Sequence, residues 1–336
     1  MSPTVAVAAR RSTALIICVV ALALLVFASV TFGVRSVSLA DVWSGLLGHT
    51  ESLEESAVAK RVPRTVLAIL VGAALALSGA SMQAVTRNPL ADPGIFGVSA
   101  GASFAVVIGI AFFSLSAPYP TMAVAILGAA VAAVFVYSVG TIGRSGATPL
   151  KLALAGAATS AALVSLTSAV MLPRVDQLRN FQFWQIGGVG GGSWEKITIV
   201  APVLGIGALI VFFSAKSMNS LALGDEMAAG LGENVVRARI IATVGSVILA
   251  GAATAVAGPI GFVGLVVPHM CRLLVGPDHR WLLPFSAVVG AALLVAADVV
   301  GRVVARPEEI EVGIVTAIIG APVFIWIVRK QKVQSL

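Results

Sequence analysis

Apolar stretches long enough to span a bilayer, about 20 residues each, recur along almost the whole chain, and they constrain its fold more than any other feature. Of the 336 residues, 58% are hydrophobic and only 11% are charged, whereas a soluble domain carries about 25% charged residues. The polar side chains are therefore too few to cover a water-exposed surface. The sequence predicts an all-α integral membrane protein.

Ten such stretches can be recognised, and the short connections between them leave no room for a sizeable soluble domain. We therefore treat residues 1–336 as a single transmembrane domain. The first stretch is longer than the apolar core of a signal peptide and has no clear cleavage site, so we expect it to remain as a helix. The stretches run from Thr13 to about Gly33 and over residues 65–86, 95–115, 119–142, 150–172, 195–215, 239–257, 260–275, 281–304 and 312–328.

The basic residues predict the orientation of these helices. If the N-terminus is cytoplasmic, most of the 22 Lys and Arg residues fall on the cytoplasmic side, in short loops. This is the distribution that the positive-inside rule describes. We predict a multi-pass protein of the cell membrane with both termini in the cytoplasm. Because no soluble basic surface is expected, the charge of +7 does not point to a nucleic-acid partner.

The membrane stretches are poor in groups that could power transport. Residues 93–143 contain no charged side chain, and Asp298 is the only acid well inside a predicted span. Ion-driven transporters usually need such groups as relays, so an ion-coupled secondary transporter is the less favoured alternative. The chain has no Gly-Lys pair and hence no phosphate-binding loop for ATP. Energy for transport would have to come from another polypeptide.

The sequence contains no pattern that indicates a catalytic or a metal-binding site. Cys18 and Cys271 lie far apart in separate apolar stretches, without a neighbouring His or Cys cluster, as is typical of small buried residues. A membrane enzyme would need clustered carboxylates, histidines or a metal set. We predict no catalytic residue, no metal and no cofactor.

Three segments are unusual for plain membrane helices. The longest polar stretch on the predicted cytoplasmic side runs from Leu223 to Gly232, and its acids Asp225 and Glu226 would lie in the first turn of a short surface helix. An ordinary polar loop is the alternative. Residues 87–94 place two prolines in one turn, which fixes two helix ends rigidly. Residues 258–264 interrupt the later spans in the same manner.

Several of these segments, in this order along the chain, resemble the permeases of bacterial ABC importers for iron-siderophores, haem and vitamin B12, often called FecCD-type. The resemblance covers nearly the whole sequence. The segments that carry it are Asn88–Gly101, Trp184–Trp194, Leu223–Gly232, Gly258–His269, Asp278–Arg280 and Gly320–Trp326.

The resemblance implies the architecture of a type II ABC importer permease with about ten transmembrane helices. Such permeases pair as dimers, with an identical or a second permease, above two ABC ATPase subunits, and receive cargo from a solute-binding protein. The chain itself would catalyse no reaction. The implied cargo is a ferric siderophore-type chelate, with haem or a corrinoid such as vitamin B12 as the alternative.

The resemblance also implies roles for individual residues. Coupling helices at about residues 223–237 would enter a cleft of the ATPase, through Leu223, Gly224, Asp225, Glu226, Met227, Ala228, Gly230, Leu231, Gly232 and Arg237. Outward-facing arginines would pair with acids of the binding protein: Arg61, with Arg64 as the local alternative, and Arg302. The cytoplasmic gate would comprise Asn88, Leu90, Thr148, Pro149 and Leu150, and the translocation path Gly156, Thr159 and Ser160.

Some alternatives stay open at the level of sequence. Arg302 could instead form a salt bridge with Asp298, four residues earlier on the same helix. Pro149 departs from the family pattern, in which a small hydroxyl residue is usual at this position. The small and hydroxyl residues of the path equally suit plain helix packing.

Overall fold

A computed structural model of the chain describes residues 3–142, 149–174, 181–182 and 184–330. Within these ranges every regular element is a helix, so the predicted all-α class is confirmed. The α-helices are α1 (Pro3–Thr31), α2 (Leu39–Leu46), α3 (Leu53–Thr86), α4 (Val98–Phe113), α5 (Pro118–Gly140), α6 (Pro149–Met171), α7 (Trp194–Phe213), α8 (Ala215–Leu221), α9 (Asp225–Gly230), α10 (Val235–Ala257), α11 (Val263–Val275), α12 (His279–Val304) and α13 (Val312–Lys330); a 3-10 turn covers Pro93–Phe96.

The number of membrane helices agrees with the ten apolar stretches of the sequence. Seven helices are long and apolar enough to cross a bilayer, and three shorter apolar helices, α4, α11 and α13, complete the set. The largest difference is in α3, which begins at Leu53 instead of near residue 65. Charged residues hide this extension in a hydropathy pattern, but Ser52 and Glu55 form a capping box that fixes the helix start.

Helix α3 lies at the centre of the bundle and contacts α1, α2, α7, α10, α11 and α12. Glycines allow its closest crossings. A Cβ atom at Gly72 would collide with the carbonyl oxygen of Gly290 on α12, and one at Gly79 would collide with that of Gly264 on α11. Small residues at crossings let helix backbones approach closely, and packing of this kind drives helix association in lipid.

The predicted interruption between the later spans is confirmed. Helix α10 ends at Gly258, which has a positive φ of 69°, and α11 begins only at Val263. The freed backbone is covered by protein, because the amide of Gly188 donates to the carbonyl of Ala257 over 2.8 Å. Non-helical backbone at membrane depth is tolerated when it is buried in this way.

The chain reversals define two ends of the bundle. One, the Arg64 end, holds the end of α1, the beginning of α3 and the end of α12, where Arg61, Arg64 and Arg302 lie. The other, the Asp225 end, holds the end of α3, the beginning of α10 and helix α9. Arg11 approaches Gly276 at the Asp225 end, and α13 starts beside Gly187 at the opposite end. The first and last described helices therefore have their outer termini on the same side.

The glycine crossings predict a sharp difference between two alanine substitutions. Gly72→Ala should lower the free energy of unfolding by about 1–3 kcal/mol, because its new methyl group overpacks the contact with α12. Gly205→Ala on α7 is the matched control, since nothing lies within 4 Å of its Cβ position. Thermal unfolding in detergent measures both, and equal stability of the two variants would contradict the packing described here.

Candidate functional site at the two ends of the bundle

Arg64 bridges two acids at its end of the bundle. Its Nε and Nη2 atoms lie 2.9 and 2.7 Å from Asp298 Oδ1, and its Nη1 atom lies 2.6 Å from Glu309 Oε2. Arg302 places Nη2 2.8 Å from the other oxygen of Asp298. The Asp298 side chain is fully buried, so two arginines compensate a carboxylate that water cannot reach. The open alternative for Arg302, a salt bridge to Asp298, is thus present.

Arg61 and Arg302 also satisfy the carbonyl groups at the end of α1. Arg61 donates to the carbonyls of Val30, Thr31 and Arg35 over 2.7–3.0 Å, and Arg302 donates to those of Ser29 and Phe32 over 3.1 Å. The last carbonyls of a helix lack partners within it, which explains these contacts. Only 7% of Arg61 and 2% of Arg302 is exposed. In the single chain both guanidinium groups are thus buried against α1, and their expected role in docking a binding protein stays a prediction.

A pocket of about 500 Å³ opens beside these arginines. Its wall includes Arg35, Lys60, Arg64 and the acids Glu308 and Glu309. Glu309 is 38% exposed in its side chain, so it is the accessible member of the Arg64 network. Such a pocket, basic and partly filled by a carboxylate of its own chain, can exchange that carboxylate for another.

Glu311, two residues further along, lies outside the membrane-spanning part of α13. Burial raises the pKa of this carboxyl, while the nearby Arg64 opposes the increase.

The short helix predicted at the Asp225 end is confirmed as α9, with both acids in its first turn. Gly224 enters the helix with φ of 103° and Gly232 follows it with φ of 83°, conformations that favour glycine. Leu223, Met227 and Leu231 are 53–66% exposed. Met227 lies on α9, while Leu223 and Leu231 flank it, so large apolar side chains are exposed along the whole segment.

The remaining residues of this segment support its shape. Ala228 is the buried residue of α9, while Gly230 faces open space and Glu226 is exposed. Arg237 is exposed, and its backbone amide donates a hydrogen bond to the Asn234 side chain, which caps the start of α10.

Asp225 joins α9 to two membrane helices. Arg239 of α10 donates to both carboxylate oxygens of Asp225 over 2.8 and 3.1 Å, and Arg87 at the end of α3 lies 3.4 Å from Oδ1. Sequence reasoning placed both arginines on the cytoplasmic side but did not connect them with Asp225. The position of Arg87 directly before the proline turn was the available signal.

The proline turn after α3 is held by its own polar groups. The amide of Leu90 donates to Asn88 Oδ1 over 2.9 Å, and the amide of Gly94 donates to Asp92 Oδ1 over 2.8 Å. Of the other predicted gate residues, Thr148 lies outside the described residues, α6 begins at Pro149, and Leu150 is 70% exposed.

The predicted path residues lie on α6 next to this turn. Thr159 and Ser160 face Gly97, each 3.7 Å from its Cβ position, whereas Gly156 is buried. The Thr159 hydroxyl donates to the carbonyl of Ala155, so its polarity is satisfied within the helix. The structure therefore places two predicted path residues beside Gly97, which ends the 3-10 turn Pro93–Phe96.

Comparison with known proteins identifies the chain. Residues 21–330 match the FecCD transport family. The chain belongs to this family.

Individual relatives agree with that assignment. The FecCD chain is 42% identical to the probable siderophore transport system permease protein YfiZ of Bacillus subtilis, over 91% of this chain and 92% of that one. It is 43% identical to the Fe(3+)-citrate import system permease protein YfmD of the same organism, over 96% and 97%. Permeases named for hemin in Yersinia pestis and for cobalamin in Halobacterium salinarum match at 37% and 44% identity.

A solved structure supports the architecture of the FecCD chain. An inward-facing metal-chelate type ABC transporter superposes with a TM-score of 0.80 at 29% identity, over 95% of this chain and 99% of that one. The expected ABC permease fold is thereby confirmed.

The Arg64 network predicts a large effect of one buried carboxylate. Asp298→Asn should lower the free energy of unfolding by about 3–5 kcal/mol, because it leaves two buried arginines without their shared counterion. Glu308→Gln removes an acid from the same end without touching the network and should change little. Thermal unfolding in detergent compares the two, and an unaffected Asp298→Asn variant would contradict the network.

Proposed function

We propose that this chain is the permease subunit of an ATP-driven importer, which moves a ferric siderophore-type chelate from a solute-binding protein to the cytoplasm. The observation that carries the proposal is the exposure of three large apolar side chains, Leu223, Met227 and Leu231, in the segment around α9. The whole chain acts as one transmembrane domain of the cell membrane, with both termini in the cytoplasm. It performs no covalent chemistry and needs no cofactor or metal of its own.

The partner of the Asp225 end is an ABC ATPase subunit. Large apolar side chains that are exposed on and beside a short helix are well suited to a groove in another protein. Residues 223–232 and Arg237 form the docking segment in this proposal. Hydrolysis of ATP takes place in that partner.

An ion-coupled mechanism is the less favoured alternative. It requires a titratable group that can exchange protons or sodium ions along the path. Asp298, the acid placed well within the described membrane helices, is held by Arg64 and Arg302 and is not available as a relay.

The path runs along the face of α6, between this chain and a second permease subunit. Large apolar side chains on α6 and α13 are uncovered within the single chain: Leu154, Leu166, Ile318 and Ile325 are 50–65% exposed. A second copy or a paralogue would cover part of this area. The lower gate consists of Asn88 and Leu90 with Thr148, Pro149 and Leu150, and Gly156, Thr159 and Ser160 line the route above it.

The relatives favour an iron chelate as cargo. YfiZ is named for siderophore transport and YfmD for ferric citrate, and both match more than nine-tenths of this chain. The hemin and cobalamin permeases keep haem and corrinoids as alternative cargoes.

The solute-binding protein docks at the Arg64 end. Arg61 and Arg302 lie beneath this surface, buried against α1, and support it. Arg64 supplies the guanidinium group to which a carboxylate of the binding protein binds. That carboxylate takes the place of Glu309, which is part-exposed. Charge pairing of this kind guides docking and fixes its register.

Purification of the complex tests the proposed function. The chain should copurify with an ABC ATPase subunit, and ATP hydrolysis should rise when a loaded binding protein is added. A panel of ferric hydroxamate, ferric catecholate, ferric citrate, haem and cobalamin identifies the cargo, and we expect an iron chelate to give the largest rise. Assembly without any ATPase, or a response to none of the loaded proteins, would contradict the proposal.

The docking proposal predicts that two neighbouring acids differ in their effect on the affinity for the binding protein. Glu309→Gln should strengthen binding of the binding protein by up to about fivefold, since a part-exposed ion pair that competes for Arg64 contributes roughly 1 kcal/mol or less. Glu308→Gln removes the same charge from the same pocket but no ion pair. Titrations at low and high salt should separate the two variants, and identical affinities would show that Arg64 is not the docking group.

A further inference from the structure

Asp225 is the point at which the ATPase-docking segment contacts the membrane helices by charge. Its carboxylate accepts two hydrogen bonds from Arg239 and lies 3.4 Å from Arg87 Nη2. Glu226, its neighbour on α9, forms no ion pair among the residues that the structure describes. Two adjacent acids on one short helix therefore have different environments, and only Asp225 connects to both α3 and α10.

Arg87 lies immediately before the predicted gate. It ends α3 in the left-handed conformation, with φ of 51° and ψ of 32°, and its backbone amide bonds back to Ala84. The next residue, Asn88, opens the turn that the Leu90 and Gly94 amides close. Because this turn is braced by prolines and short hydrogen bonds, a displacement of Arg87 moves the turn as a unit.

Arg239 connects the same carboxylate to the centre of the bundle. It lies one turn into α10, whose buried face is bonded to α3 by two hydroxyl contacts: Ser81 donates to the Ala242 carbonyl over 2.9 Å, and Ser78 lies 2.6 Å from Ser246. Helices α3 and α10 are therefore already joined to each other. A pull on Asp225 acts on both helices in the same direction.

We propose that Asp225 is the positioning residue that transmits movement of the docking segment to the gate turn, through Arg87 and with Arg239 as its second anchor. The inference rests on the proposed function, since it takes α9 as the ATPase contact and residues 88–90 as part of the gate. It adds the physical connection between them, which is one ion-paired carboxylate.

A purely structural role for Asp225 is the competing explanation. Both Asp225 and Arg87 are 44% exposed in their side chains, and ion pairs with this exposure contribute little to stability. Loss of the contact should therefore leave folding and assembly intact. Its effect should appear in the coupling between ATP hydrolysis and transport.

The test uses the assembled transporter in proteoliposomes and measures chelate transported per ATP hydrolysed. Asp225→Asn and Arg87→Gln should each lower this ratio by at least about fivefold, the lower range of coupling energies between linked sites. Lys216→Gln, an exposed cation on α8 outside the docking segment, is the control and should leave the ratio unchanged. The double variant Arg87→Glu with Asp225→Arg restores opposite charges at positions 87 and 225 but places like charges at positions 225 and 239. It should therefore recover only part of the lost coupling.

Hydrogen exchange gives a second readout that a structural role would not change. On ATP binding, amide exchange in residues 87–94 should change in the wild-type complex. In Arg87→Gln this change should be lost while that of residues 223–232 persists. An unaltered ratio in Asp225→Asn or Arg87→Gln, or an equal loss in Lys216→Gln, would overturn the inference. A wild-type complex without ATP-coupled transport would instead refute the proposed function.

Discussion

The dominant constraint on this protein is that a polar group inside a bilayer must find its partner within the protein. Lipid offers no hydrogen bonds, and an unsatisfied group costs several kcal/mol. The Arg64 end answers this requirement most fully. Asp298 is fully buried and two arginines, Arg64 and Arg302, share it. Arg302 together with Arg61 also satisfies the open carbonyls of α1. One cluster thus fastens α1, α3, α12 and the loop before α13.

The same constraint separates the charged groups into two clusters. At the opposite end, Asp225 collects Arg87 and Arg239, and between the clusters the helices are joined by glycine crossings and serine hydroxyls. In the proposed function each end receives one partner: a carboxylate of the binding protein at the Arg64 end and an apolar groove of the ATPase at the Asp225 end.

Hydropathy and caps were sufficient to predict the ten membrane helices, the break at Gly258 and the short helix at Asp225. These features depend on local residue properties: apolar length, proline, and glycine at positive φ. The extent of α3 could not be predicted from hydropathy, because the segment 54–64, which contains five charged residues, belongs to the same helix as the apolar run. Helix α2 was also missed, since eight residues with one acid resemble a loop.

The partners of the arginines could not be obtained from the sequence. Arg64 and Asp298 are 234 positions apart, and only the packing of α3 against α12 brings them together. Arg302 offered a local partner four residues away, and that alternative is the one the structure contains. Arg61 is buried because the end of α1 packs over it. The sequence around residue 61 carries no information about the position of that helix end.

The central claim is that this chain takes its energy from a separate ATPase. The most direct measurement is chelate uptake by proteoliposomes that contain the permease with its loaded binding protein, with and without the ATPase subunits and ATP, under imposed proton or sodium gradients. The account predicts accumulation only when ATPase and ATP are present, unaffected by ionophores. Accumulation driven by either gradient in the absence of the ATPase would contradict it.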